Sequence, residues 1–216
     1  DVHSWMTAEV HGYEYEEVNQ GRKEKGSIFE SLRSDTKRVV FGTLYGITAH
    51  GLQERMGFTE ERAQEIIDKL MDRFPLIRAY INDTQKEISK KKRVITPFGR
   101  FRRFPMVTAG KWAEGRNHRQ GVNFLIQSYC SDIVMSCMLN VAKHISEVRG
   151  RLLLTVHDSV CCEVPEKELH RVPQFLEDSI TQHIQREFPD LEVPMPYDVL
   201  VGDNYGETDD LDKSLA

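Results

Sequence analysis

Long apolar runs, paired cysteines and internal repeats are all missing from this 216-residue chain. No apolar run approaches the ~20 residues that a membrane-spanning helix needs, which argues against a membrane partner. The four cysteines form no CxxC pair, so they are expected to be small buried hydrophobic residues in a reducing, cytoplasmic protein. The N-terminal residues also lack the basic-then-apolar pattern of a signal peptide.

An overall excess of positive charge is lacking too, because the net charge is -5. Between Lys86 and Arg103, however, eight Lys and Arg residues stand against the single acid Glu87. Such a band can bind a phosphate backbone locally, although on charge alone a solvated helix end explains it equally well. The acidic segment 207–212 is expected to be solvated.

The spacing of apolar residues predicts an α+β fold whose first half is mainly helical. Helices are predicted near 33–46, 49–56, 59–75, 76–90, 117–146 and 172–188, hairpins at 93–104 and 151–164, and a last strand at 197–201. The second hairpin is expected to be buried. Apart from the first hairpin, the change from helical to strand-containing sequence falls near 105–118, which predicts two subdomains, 1–115 and 116–216.

Four side chains at four-residue spacing define one face of the helix predicted at 33–46. Arg33, Lys37, Phe41 and Tyr45 drift by only about 40° per step on an α-helix. Two cations followed by two aromatic rings suit a triphosphate at one end and a sugar and base at the other. The alternative is an amphipathic helix with Phe41, Leu44 and Tyr45 in a core.

A second pattern places two polar residues, His157 and Asp158, between two apolar strand-like runs. The pair is predicted to form the tip of a hairpin. A carboxylate held there by apolar strands can face a metal ion. Alone the pattern is weak evidence, because turns favour Asp.

A third row, Arg119, Asn123 and Gln127, lies on the long helix and is followed by Asp132. Amide side chains can donate to the minor-groove acceptors that all base pairs share, so they can check base-pair shape without reading sequence. The alternative is a solvated polar stripe.

Together the three patterns resemble family A DNA polymerases, the bacterial polymerase I family, over nearly all of 1–207. The Arg-x3-Lys-x3-Phe-x3-Tyr-Gly string resembles motif B on the family's fingers helix, and the His-Asp turn resembles its motif C. The Arg-Asn-Gln row resembles the helix that contacts the primer–template minor groove. The opening Asp1-Val2-His3-Ser4 resembles the family's Asp-Ile-His segment, and Phe98-Gly99-Arg100 resembles its basic fingers hairpin.

The resemblance implies a role for each residue. It makes His3 and Arg33 triphosphate contacts, and Lys37 a phosphate contact that protonates the leaving pyrophosphate. Phe41 would pack on the incoming sugar and Tyr45 would lie at the templating pair.

For the other two patterns, the resemblance makes Asp158 a ligand of two catalytic Mg²⁺ ions and places His157 near the primer terminus. Arg119, Asn123 and Gln127 become DNA-binding residues. The implied partners are primer–template DNA and deoxynucleoside triphosphate (dNTP).

The chain departs from the family in several ways. Ser159 and Ser128 stand where the family usually has Glu and Gly. No segment resembles motif A, which carries the second metal-binding Asp, and the family's thumb and exonuclease are not recognisable. One Asp cannot hold two Mg²⁺ ions beside a triphosphate. A second polypeptide or a missing segment is therefore expected to supply motif A, as in a split phage polymerase or a processed fragment.

The sequence thus predicts template-directed DNA synthesis. One alternative is a fragment of a single-subunit, phage-type RNA polymerase, which shares a related motif B and a His-Asp-Ser turn. Another is a non-catalytic DNA-binding polymerase subunit. Phe41 and the Arg119 row argue against the first, and the joint presence of Arg33, Lys37 and Asp158 argues against the second.

Overall fold

The computed structural model describes residues 1–211, apart from the side chains of residues 55 and 56. In that part helices predominate and the strands form three two-stranded antiparallel sheets, which confirms the predicted α+β class. The chain divides into two compact units, Asp1–Ser128 and Tyr129–Ala216. This division does not test the subdomain boundary predicted near 115, which stays a prediction.

The first unit consists of helices and one hairpin. Its elements are α1 (Val2–His11), α2 (Tyr15–Gly21), α3 (Ile28–Leu44), α4 (Ala49–Met56), α5 (Glu60–Arg73), α6 (Pro75–Lys91), β1 (Arg93–Ile95), β2 (Phe101–Arg103) and the first half of α7 (Lys111–His144). The helices predicted in this part and the first hairpin are therefore present. Helix α3 begins earlier than predicted because Ser27 caps it, its hydroxyl accepting from the Phe29 N–H at 3.0 Å.

Three apolar clusters hold the first unit together. The largest joins α1, α3, α4 and α5 through Met6, Val39, Val40, Leu52, Ile66 and Leu70. The second joins α6, the hairpin and α7 through Ile88, Val94, Phe104 and Val107, with Phe124 and Leu125 packed against them. The third joins α5, α6 and α7 through Met71, Ile81 and Val122. The second cluster fixes the basic hairpin against α7.

The second unit contains the rest of α7, then β3 (Arg151–Val156), β4 (Ser159–Glu163), α8 (Val172–Leu176), α9 (Gln182–Glu187), β5 (Leu200–Asn204) and β6 (Glu207–Asp210). The helix predicted at 172–188 is interrupted by a π-type turn at Glu177–Thr181. The last predicted strand, 197–201, begins only at Leu200 and runs on to Asn204, so the turn after it lies beyond the predicted strand end. The turn comes later because the Asn204 side-chain carbonyl accepts from the N–H groups of Gly206 and Glu207. The acidic residues 207–210 form β6, and residue 212 lies outside the described residues.

The β3–β4 hairpin forms as predicted, but the expectation that it is buried is wrong for the described chain. Leu153, Leu154 and Val156 are 49%, 47% and 40% exposed. Only the base of the hairpin is anchored. There Cys162 packs against a cluster formed by α7, the turn that follows α7, and α8. The cluster consists of Val141, Ile145, Val148 and Phe175. Within the second unit, no described element covers the exposed apolar side chains of β3.

The cysteines differ in exposure. All four are free, as expected, but only Cys137 is buried; Cys161 and Cys162 are half-buried and Cys130 is exposed. Among the described residues, the helical stretch Lys111–Val148 is long and apolar enough, by length and composition alone, to cross a membrane. Core helices of soluble proteins meet the same two criteria. This helix also carries the polar Arg119 row.

Candidate functional site

The four predicted side chains share one face of α3, and three of them contact one another in sequence. The Lys37 Nζ lies 5.8 Å from the centroid of the Phe41 ring. The Phe41 and Tyr45 rings stack with centroids 6.3 Å apart and planes inclined by 13°. Because Phe41 is 39% exposed, the alternative that places it in the core is wrong. Leu44 packs against the core instead.

Arg33 is held by Asp1, a partner that the sequence did not predict. Its Nε and Nη2 donate to the Asp1 carboxylate at 2.9 and 2.7 Å. The same carboxylate caps α1, accepting from the His3 N–H at 3.0 Å. An Asp one residue before a helix is a recognisable capping signal, but its contact with α3 is a tertiary feature. Two N–H groups of the guanidinium are engaged, and three remain to bind another anion.

His3 packs beside the same face. Its ring lies 5.3 Å from that of Phe41, centroid to centroid. Burial lowers the pKa of the His3 imidazole, and the positive charges of Arg33 and Lys37 lower it further. The ring is therefore neutral at neutral pH. Its Nδ1 is buried with no hydrogen-bond partner among the described residues, so a proton on Nε2 leaves no N–H group buried and unpaired.

The Arg119 row meets the end of α3 within the first unit. Gln127 Nε2 donates to the Tyr45 hydroxyl at 2.9 Å. Gly46 has a φ of +81°, and a Cβ at this position would lie 3.1 Å from the Arg119 Cγ. Glycine is thus required here both by backbone conformation and by the close approach of Arg119. Asn123 is exposed on the same row.

The second unit places His157 and Asp158 at the two-residue tip between β3 and β4, as predicted. Val156 pairs with Ser159 across the turn, and the Ser159 hydroxyl donates to the Val156 carbonyl at 2.8 Å. Ser159 therefore contributes a hydrogen bond within the hairpin. His157 adopts a φ of +54°, a left-handed conformation that a non-glycine residue rarely takes and that costs about 1–3 kcal/mol.

Asp158 is exposed at this tip. No group of three or more His, Cys, Asp or Glu side chains in residues 1–211 could by itself hold a metal ion. Mg²⁺ commonly binds through one or two carboxylates together with waters and substrate phosphates. Asp158 therefore fits the role of one Mg²⁺ ligand, and the described chain does not supply a complete site.

Comparison with known proteins identifies the family of the chain. The family model for DNA polymerase family A matches residues 1–207. The chain therefore belongs to DNA polymerase family A. This finding favours the DNA polymerase interpretation over the phage-type RNA polymerase alternative.

Its relatives are much longer proteins. It is 32% identical over 209 residues to DNA polymerase I of Chloroflexus aurantiacus, covering 96% of this chain and 21% of that protein. It is 31% identical over 181 residues to DNA polymerase I of Helicobacter pylori, covering 83% and 20%. The chain thus spans about a fifth of the length of these relatives.

A solved structure shows the same fold. It is the POL domain of Pol1 from M. smegmatis in complex with DNA primer–template and dNTP, with a TM-score of 0.72 and 27% identity. The match covers 85% of this chain and 31% of the other.

Proposed function

We propose that this chain forms the fingers and the C-terminal part of the palm of a template-directed DNA polymerase. The reaction is nucleotidyl transfer from dNTP to a primer 3′-hydroxyl. The primer oxygen forms a bond to the α-phosphorus, and the bond from that phosphorus to the pyrophosphate oxygen breaks. The observation that carries the proposal is the exposed α3 face, on which two cations and two stacked aromatic rings follow one another. The proposed site of action is the cytoplasm.

Each side chain of this face has a task that its contacts suit. Arg33, oriented by Asp1, and Lys37 bind the triphosphate, and the Lys37 ammonium is the proton source for the leaving pyrophosphate. Neutral His3 donates from Nε2 to a phosphate oxygen. Phe41 supports the sugar through its exposed ring. Such positioning and charge neutralisation account for most of the catalysis of phosphoryl transfer.

The Tyr45–Gln127 hydrogen bond connects the nucleotide face with the row proposed to contact DNA. Arg119, Asn123 and Gln127 would contact the minor groove of the newly formed base pairs, where amide donors meet acceptors common to all pairs. Tyr45 would lie beside the templating pair. A mispaired nucleotide could then disturb both rows at once.

Asp158 is proposed to hold the catalytic Mg²⁺ ions, and His157 to lie near the primer terminus. When bound, two Mg²⁺ ions stabilise the attacking and leaving oxygens of an in-line displacement. A second carboxylate, on motif A, would come from a further polypeptide segment or a second chain. The same partner would cover the apolar side chains of β3, because Leu153, Leu154 and Val156 are more exposed than the residues of a fully paired and covered sheet.

Primer extension tests the proposal. The 216-residue chain alone, given Mg²⁺, dNTP and a primer–template, is expected to extend no primer. Addition of a polypeptide that carries motif A should start synthesis, with dNTP strongly preferred to rNTP. Robust synthesis by the chain alone would contradict the shared metal site. A complex that binds DNA but never incorporates a nucleotide would instead identify a non-catalytic subunit.

A further inference from the structure

A row of side chains on α7 takes no part in the function proposed above. It consists of Trp112, Arg116, Gln120 and Phe124, each four residues after the last, and is called the Trp112 row below. Trp112 and Arg116 lie seven and three residues before Arg119, which on an α-helix places them within about 20° and about 60° of it. The Trp112 row therefore begins N-terminal to the row proposed to read base pairs, on nearly the same face of α7, and turns away from that face at Gln120 and Phe124.

Each aromatic ring of the Trp112 row lies beside a guanidinium group, one from α7 and one from β2. The Arg116 guanidinium lies 5.4 Å from the Trp112 ring centroid. Further along, Arg102 of β2 donates through Nη2 to the Gln120 side-chain oxygen at 3.1 Å. The same guanidinium lies 6.0 Å from the Phe124 ring centroid. The hairpin thus adds a second cation to the row and fixes its position.

The indole of Trp112 is 74% exposed. Single exposed apolar residues are common on protein surfaces and need no explanation. Here, however, the exposed ring stands beside an uncompensated cation, because no carboxylate pairs with Arg102 or Arg116 in the described part of the chain. The adjoining strand repeats the arrangement, since the Arg103 guanidinium lies 5.2 Å from the centroid of Phe101, which is 53% exposed.

Charge indicates the kind of partner. Residues 86–120 contain eleven Lys and Arg residues against two Glu. A protein partner would have to bury this charge in the centre of an interface, where charged residues are normally depleted. A polyanion, in contrast, is attracted to this positive charge. Exposed aromatic rings beside guanidinium groups are the usual surface on which unpaired bases stack. In a duplex the base faces are already stacked, so an exposed indole gains little from one.

We propose that the Trp112 row binds single-stranded DNA. Bases would stack on Trp112, while Arg116 and Arg102 neutralise the neighbouring phosphates. The identity of the bound strand rests on the proposed function: in a DNA polymerase, it is the unpaired part of the template ahead of the copied segment. The row would hold that strand without reading its sequence, since every base has a face that can stack.

The chain offers a direct test, because it contains only two tryptophans, Trp5 and Trp112. In a Trp5→Phe chain, fluorescence reports Trp112 alone. Titration with oligo(dT) of roughly 16 nucleotides, a length within single-strand site sizes, should quench this fluorescence to saturation. A blunt duplex of equal length should quench it far less. Fluorescein-labelled oligonucleotide anisotropy gives the affinity independently.

Two variants separate stacking from charge. Trp112→Ala should weaken oligo(dT) binding about five-fold or more, and Trp112→Phe should recover part of the loss. Arg116→Gln should reduce the slope of log affinity against log salt by about 0.7, the value for one phosphate contact on a single strand. The matched control Arg78→Gln removes an equal charge from α6, where Arg78 pairs with Asp72, and should leave the slope unchanged. Thermal melts confirm that each variant is folded.

The proposal is overturned if anisotropy shows binding while Trp112 fluorescence stays constant, or if Trp112→Ala binds as tightly as the parent. Burial of Trp112 in a second copy of the chain, detected by sedimentation, would overturn it as well. Quenching requires no synthesis, so this result is separate from the primer-extension test. Quenching without synthesis would leave the Trp112 row supported and the polymerase proposal contradicted, and synthesis without quenching would do the reverse.

Discussion

The α3 face and the Asp158 tip differ in how much of their surroundings the described chain supplies. Lys37, Phe41 and Tyr45 contact their neighbours in the row. Asp1, which caps α1, and Gln127 of α7 support the row from outside α3. Asp158 stands on a hairpin whose apolar side chains remain largely exposed. The first region is preorganised within its own unit, whereas the described chain supplies little of the surroundings of the second. Substitutions should therefore act differently in the two regions.

The largest effect is expected at Asp158. In the assembled polymerase, Asp158→Asn should reduce synthesis by about a thousand-fold or more, because metal binding contributes several kcal/mol to the transition state. The substitution removes a charge from an exposed tip, so stability should change by less than about 0.5 kcal/mol. Steady-state primer extension and a thermal melt measure the two quantities.

The control for that experiment is Asp190→Asn, which removes an equal charge from another exposed Asp of the second unit. It should leave synthesis unchanged. Equal activity of the Asp158→Asn and parent enzymes would rule out the metal-binding role.

The next largest effect is expected at Lys37. Lys37→Ala should slow nucleotide incorporation by roughly a hundred-fold, the lower range for loss of a general acid. It should also weaken dNTP binding, since one phosphate contact is lost. Single-turnover incorporation measured against dNTP concentration separates the two effects. Arg38→Ala is the matched control on α3, because Arg38 pairs with Asp35 away from the row. If both variants lost activity equally, the face would have no special role.

A smaller effect tests how closely α3 and α7 fit together in the first unit. Gly46→Ala should destabilise the chain by about 1–2 kcal/mol, because a left-handed alanine is strained and its Cβ crowds Arg119. Gly12→Ala has the same backbone problem at φ +76°, but nothing lies within 4 Å of the added Cβ. Urea denaturation gives both values. Gly46→Ala should be the costlier, and equal costs would show that the Arg119 contact contributes nothing.

The smallest effect has the opposite sign and belongs to the hairpin tip. His157→Gly should stabilise the chain by up to about 1 kcal/mol, since glycine tolerates a positive φ. Synthesis should nevertheless fall if His157 contacts the primer terminus. Arg149→Gly relieves a similar φ of +53° at a turn with no proposed role, and should stabilise the chain without loss of synthesis. A destabilised His157→Gly chain would contradict the inferred strain.

Sequence reasoning succeeded where a feature depends on local spacing. The α3 row is set by four-residue steps on a helix, and the His157–Asp158 tip by two apolar runs around a polar pair. The prediction from the sequence was wrong for the burial of the β3–β4 hairpin. Apolar strands indicate a buried sheet whether or not the element that would cover them is present. The helix predicted over 172–188 is present as helical turns from Val172 to Glu187, and only the π-type turn within it was not foreseen, because apolar periodicity does not reveal such a turn.

By itself, the sequence determined the family, the row of Arg33, Lys37, Phe41 and Tyr45, and the place of Asp158 at a turn. These follow from residue types at short, fixed separations. Only the tertiary structure decided that Asp1 orients Arg33, that Gln127 binds Tyr45 and that Arg102 joins the Trp112 row. Asp1 and Arg33 are 32 residues apart, Tyr45 and Gln127 are 82 apart, and Arg102 and Gln120 are 18 apart. Contacts at such separations arise from the packing of several elements around shared apolar clusters, which no local pattern specifies.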